Sequence, residues 1–136
     1  MMRILQLCAL VLIGTFSGCA IVSPQADHAN LGDTPWKLMS IGDNPVNLGE
    51  NAILKFDENE NKISGVAACN SFSAGYEMIR KAITFDDIVT TKKYCEGAMD
   101  EENQIITGLQ NVTRYEVKAN MLYFYNKGQL VLTYKR

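Results

Sequence analysis

Few side chains in this sequence are placed to do chemistry. The chain has one histidine, His28, in a short mixed segment without periodicity. A Ser-His-Asp triad would have to recruit it from there, where no regular element holds an imidazole beside a nucleophile. A single histidine also leaves little basis for a multi-His metal site. The sequence has no C-x-x-C pair, G-x-S-x-G elbow, H-E-x-x-H helix or G-x-x-x-x-G-K-[ST] loop. Acidic residues gather at Asp57-Glu58-Asn59-Glu60-Asn61, at Asp86-Asp87 and at Asp100-Glu101-Glu102. The first run superficially resembles a calcium loop, but the positions that need Gly and Glu hold Lys62 and Ala68. A glycosidase pair faces across a cleft, which sequence neighbours do not imply. All three runs therefore read as solvated turn and helix-start charges. The expectation is no catalytic residue, no metal site and no cofactor.

The four cysteines, Cys8, Cys19, Cys69 and Cys95, are more informative. Arg3 is the only charge before Asp27, and it precedes the apolar run Ile4–Ile13 and the small-residue exit Ser17-Gly18. A positive start, a short apolar stretch and a small-residue exit read as a secretory signal. The run falls short of the ~20 residues that span a bilayer. Phe16-Ser17-Gly18-Cys19 resembles a bacterial lipobox. That resemblance implies a signal peptide over residues 1–18 and a mature chain beginning at a lipidated Cys19. Several acyl chains anchor stably where one holds only marginally. Ala20 after Cys19 resembles the enteric default for transfer to the outer membrane. Cys8 leaves with the signal and Cys19 is lipidated, so Cys69 and Cys95 remain. Export places them where a disulfide persists; two buried free thiols are the alternative.

The elements that must position these residues are short strands. The chain has 136 residues, which suits one domain, and 47% are hydrophobic, which argues against disorder throughout. Thirteen Lys and Arg against fifteen Asp and Glu provide no basic excess for nucleic acid. Residues 19–33 read as a lipidated tether and residues 34–136 as the folded domain. Strands are expected at Trp36–Ile41, Ala52–Phe56, Ile63–Ala67, Ser71–Ile79, Ala82–Ile88, Arg114–Lys118, Met121–Tyr125 and Leu130–Lys135. Gly65 suggests a bulge or a close backbone approach. Ala119-Asn120 and Asn126-Lys127-Gly128 read as hairpin turns. Tyr115, Tyr123 and Tyr125 read as cross-strand packing residues. Gly97–Asn111 breaks the pattern: an acidic start suits a helix N-terminus, and Met99, Ile105, Ile106 and Leu109 form an apolar stripe. Short, evenly spaced strands favour a sandwich or a barrel.

Three segments then point to a family. Gly32-Asp33-Thr34-Pro35-Trp36-Lys37-Leu38 resembles the G-T-x-W-x-L opening of META/HslJ domains, with one inserted residue. Ser64–Tyr76 is similar to their G-x-x-G-C-N-x-F-x-G-x-Y segment, and Thr90–Cys95 to their S-T-x-x-x-C. Ala68 stands where the family usually has Gly, and Lys92-Lys93-Tyr94 where it has Arg-Met-Ala. The resemblance spans about Leu31 to Arg136. It implies a small antiparallel, lipocalin-like β-barrel with one amphipathic helix, and it carries over Cys69 and Cys95 as the paired cysteines. It implies no catalytic residue and no defined ligand, and it includes heat-inducible envelope lipoproteins linked to antibiotic tolerance. The expected protein is a non-enzymatic envelope lipoprotein, attached to the outer membrane through Cys19, facing the periplasm, with a maintenance or stress role. The alternative is a barrel that binds a small ligand or peptide at its mouth.

Overall fold

The computed structural model describes residues 30–136. The expected signal peptide, Cys19 and the tether up to residue 29, with His28, lie outside the described residues. The strands are β1 (Trp36–Ile41), β2 (Asn44–Pro45), β3 (Ala52–Asp57), β4 (Lys62–Ala67), β5 (Asn70–Ile79), β6 (Ala82–Phe85), β7 (Val89–Thr90), β8 (Arg114–Lys118), β9 (Met121–Asn126) and β10 (Gln129–Lys135). Among the described residues there is one α-helix, α1, over Met99–Gln110. Eight strands pair antiparallel in the order β10-β9-β8-β6-β5-β4-β3-β1, and β1 pairs back to β10. The sheet is thus a closed barrel with one helix. The thinnest seam is β6 against β8, where Ala82 and Arg114 are the only paired positions.

Alternation builds this barrel. Along β3, Ala52, Leu54 and Phe56 face inward, and along β5 Phe72, Ala74 and Tyr76 do the same. The interior is packed with Trp36, Leu54, Ile63, Phe124, Leu132 and Tyr134, all nearly inaccessible. Edge-to-face rings at Phe56–Tyr76 and Phe124–Tyr134 fill the remaining width. The helix covers one end: Ile105 and Leu109 enter the core, and Gly108 lets the helix lie close against Leu132. At the opposite end lie the β3–β4, β5–β6 and β8–β9 turns and both ends of the described chain. No helix among the described residues is long and apolar enough to cross a membrane.

Several expectations need correction. Asn30–Asp33 do not behave as tether: Leu31 is fully buried and its carbonyl accepts the Trp36 indole N–H at 2.9 Å. An apolar side chain beside an unfilled barrel end gains more inside than in water. The strand expected over Ala82–Ile88 ends at Phe85, because Asp86 and Asp87 turn outward to water. Of the two readings of Gly65, the structure bears out the close backbone approach and not the bulge. Pairing at Gly65 is continuous on both sides, and a Cβ there would overlap the Ile53 carbonyl and the Phe72 ring. The bulges lie elsewhere, between Leu38 and Ser40 on β1 and between Leu130 and Leu132 on β10. The expected cross-strand placing of the three tyrosines is found, on both faces of the wall. Tyr115 points inward opposite Phe124, whereas Tyr125 lies opposite Arg114, whose guanidinium sits 4.0 Å from its ring.

The tight β4–β5 turn explains the departure at Ala68. Ala68 has φ 58°, in the left-handed region where a Cβ is strained and glycine is not. Ala68→Gly is expected to raise stability by about 0.5–1 kcal/mol, the strain relief being partly offset by added freedom in the unfolded chain. Urea denaturation would register this as a higher midpoint at unchanged slope.

Candidate functional site

The residues with most chemical character converge at the helix-covered end. Cys69, in the β4–β5 turn, is bonded to Cys95, in the loop before α1, with Cα atoms 6.0 Å apart. That spacing lies inside the range a disulfide bridges. Beside it sits a polar cluster that the sequence did not reveal. Asn70 is buried, and its side-chain N–H groups donate to both Glu102 oxygens and to the Lys93 carbonyl, each at 2.9 Å. Its backbone N–H donates to Glu102 Oε2 at 2.9 Å. Its carbonyl oxygen accepts from the Lys93 N–H at 2.7 Å and the Thr91 hydroxyl at 2.8 Å. Every polar atom of Asn70's side chain is thereby matched, as burial requires.

Glu102 corrects the expectation of a solvated helix start. Asp100 is exposed, but Glu102 points into the barrel end and is buried. The signal for this was faint: the Asn after Cys69, and a third acid one helical turn from the stripe residues Ile105 and Ile106. The cluster has no nucleophile beside a base, and its donors are all occupied. Its chemistry is structural, since it ties the 91–95 loop and α1 to the start of β5.

Other acids hold turns and chain ends or face water. Asp57 Oδ1 accepts the Asn59 and Glu60 backbone N–H groups at 3.0 and 3.1 Å, which folds the hairpin tip. Glu58 Oε1 accepts from the Leu31 and Gly32 N–H groups at 2.8 and 3.2 Å, so it holds the chain start over the end away from the helix. Arg136 closes the same end by donating to the Asn30 carbonyl at 2.8 Å, with its guanidinium over Trp36. Asp86, Asp87 and Glu96 are exposed. Glu116 is held below the usual carboxylate range by the Lys118 ammonium that bonds it, with Arg114 and Lys81 adding to the effect. A general acid needs the opposite shift. Among the described residues no group of three or more His, Cys, Asp or Glu side chains could hold a metal ion.

Burial pushes the Tyr134 hydroxyl far above its ordinary pKa, and Tyr76 and Tyr115 are raised for the same reason, with Glu58 adding to both. These hydroxyls stay neutral and act as core rather than as bases. Tyr115 has no hydrogen-bond partner for its buried hydroxyl.

A groove of about 470 Å³ lies at the helix-covered end, between the β1–β2 turn, α1 and the β9–β10 hairpin. Its floor includes Ile41, Leu130 and Val131, and its walls carry carboxamide side chains. The groove lies at the strand ends beside the helix, outside the barrel's side-chain-filled interior.

Comparison with known proteins follows this architecture. A family model described as META domain matches residues 29–136. An NMR structure 28% identical to the chain superposes with a TM-score of 0.62, covering 77% of this chain and 90% of that one. An NMR structure of a protein from Burkholderia xenovorans, 19% identical, covers 78% of this chain and 83% of its own at a TM-score of 0.63. A crystal structure of a DUF4847 family protein from Bacteroides vulgatus ATCC 8482, 12% identical, covers 78% of this chain and 94% of its own at a TM-score of 0.60. The last two show a shared fold alone. No functionally curated protein matches the chain.

Proposed function

Because the chain belongs to the META-domain family, we propose that it is a non-enzymatic, lipid-anchored barrel module of the bacterial cell envelope. Cys19 holds it to the outer membrane, facing the periplasm, in envelope maintenance or in stress and antibiotic tolerance. The observation that carries this reading is the Cys69–Cys95 disulfide, which fits a compartment where thiols oxidise. The lipobox-like Phe16-Ser17-Gly18-Cys19 supports the same compartment independently. An interior occupied by Trp36, Phe124 and Tyr134 favours a rigid module over a lipocalin-like carrier, since no room is left for cargo. A second reading, a small-ligand or peptide binder, is favoured by the groove beside α1.

Metabolic labelling with a palmitate analogue tests the anchor. The wild type is expected to label and to partition with membranes. Cys19→Ala is expected to lose both, with its barrel and disulfide intact. Equal labelling of the two proteins would overturn the anchored reading.

A further inference from the structure

The groove at the helix-covered end has a chemistry of its own. Six carboxamide side chains line it: Asn44, Asn103, Gln104, Asn111, Asn126 and Gln129. They come from three segments far apart in sequence. None of the residues lining the groove is charged, in a chain where 21% of residues are. Of these six, only Asn111 bonds its side chain to another described residue, donating to the Thr107 carbonyl at 2.7 Å. The others keep both donors and acceptor available.

The support beneath them is rigid. Asn126 and Gln129 pair across the β9–β10 turn, and Gly42 N–H donates to the Val131 carbonyl at 2.7 Å. The bulge between Leu130 and Leu132 breaks the in-and-out alternation of β10, so Leu130 and Val131 are left half-buried in the groove floor. Bulges often re-aim side chains beside functional sites.

We propose that this groove binds a neutral, hydroxyl-rich oligosaccharide built of N-acetylated amino sugars. A carboxamide carries no net charge, so a ring of them favours neither anion nor cation. Each can donate to one sugar hydroxyl and accept from the next, and can pair amide to amide with an acetamido group. The apolar strip of Ile41, Leu130 and Val131 suits the C–H face of a pyranose ring. A concave surface of mixed apolar floor and a few placed polar groups is the ordinary form of a small-ligand site. The groove has no aromatic platform, so the expected affinity is in the millimolar range, about −4 kcal/mol.

The inference does not need the lipid anchor: a Cys19→Ala protein that escapes labelling would still bind. The test is a titration of the processed, ¹⁵N-labelled full chain with the neutral tetramer of N-acetylglucosamine, followed by NMR. The side-chain NH₂ signals of Asn103, Gln104 and Asn126 are expected to shift in a saturable way. Asn103→Ala/Asn126→Ala, the first exposed and the second half-buried, is expected to weaken binding by about 10-fold or more, with the core signals of Trp36 and Phe124 unmoved. An equal response to a glucose tetramer would keep the neutral-oligosaccharide site and remove the acetamido contact. No saturable shift, shifts confined to the other end of the barrel, or tighter binding of an uncharged peptide at the same residues would overturn it.

Discussion

Asn70→Ala is expected to destabilise the domain by about 2–4 kcal/mol, a large share of a small domain's total. The side chain is 1% exposed, and its two N–H donors face a Glu102 carboxylate that is itself buried. Removing them leaves Glu102 with one donor, the Asn70 backbone N–H. Hydrogen bonds to charged groups contribute about 1.5–3 kcal/mol, and an under-satisfied buried charge costs more than a lost neutral bond. Thr91 and Lys93 also lose their partner, but they lie at the surface where water can replace it. Asn70→Ala/Glu102→Leu should recover part of the loss, because no charge is left short of donors, although the backbone N–H of residue 70 loses its Glu102 acceptor. Denaturant unfolding monitored through Trp36 would measure both. A double variant as unstable as Asn70→Ala would show that packing, not satisfaction of Glu102, is what Asn70 provides.

The second large effect is expected from breaking the Cys69–Cys95 bond. The bond joins residues 26 apart in sequence. The loop-entropy account assigns about 3.5 kcal/mol to closing a loop of that size, within the 2–5 kcal/mol seen when small domains lose a native disulfide. For a domain of this length the corresponding fall in Tm is roughly 15–25 °C. The Cys69→Ser/Cys95→Ser protein should therefore unfold well below the oxidised wild type in a thermal scan. A difference under about 1 kcal/mol would mean that the loop is already held by Asn70. Because bond and cluster restrain the same 91–95 segment, their losses should not add. A cycle combining both changes is expected to show coupling of about 0.5–3 kcal/mol.

The barrel was largely legible because its walls follow a period of two. Alternation along Ala52–Phe56 and Ser71–Ile79, and turn residues at 119–120 and 126–128, placed strands within a residue or so of their observed ends. Slippage in the alternation of Trp36–Ile41 corresponds to a real bulge between Leu38 and Ser40. Long-range contacts were harder to foresee. Leu31 looks like one apolar residue in a mixed segment, and nothing local says that it fills a barrel end. Glu102 shares its sequence neighbourhood with the exposed Asp100, and only the arrival of Asn70 from 32 positions away distinguishes them. The amide groove is assembled from three segments, none of which carries a motif.

The attachment of Leu31 at one end of the barrel sets a direction as well as a seal. The chain enters the domain at Asn30, beside the β3–β4, β5–β6 and β8–β9 turns, while α1 covers the far end. If Cys19 is fixed in a bilayer, the turns near Asn30 form the face presented to the lipid and the helix faces outward. Eleven peptide steps separate Cys19 from Asn30, so the domain can stand off by at most ~40 Å. The protein would work as a short leash with a defined head and tail. With that leash drawn taut, α1 and its groove lie on the end of the barrel farther from the anchor.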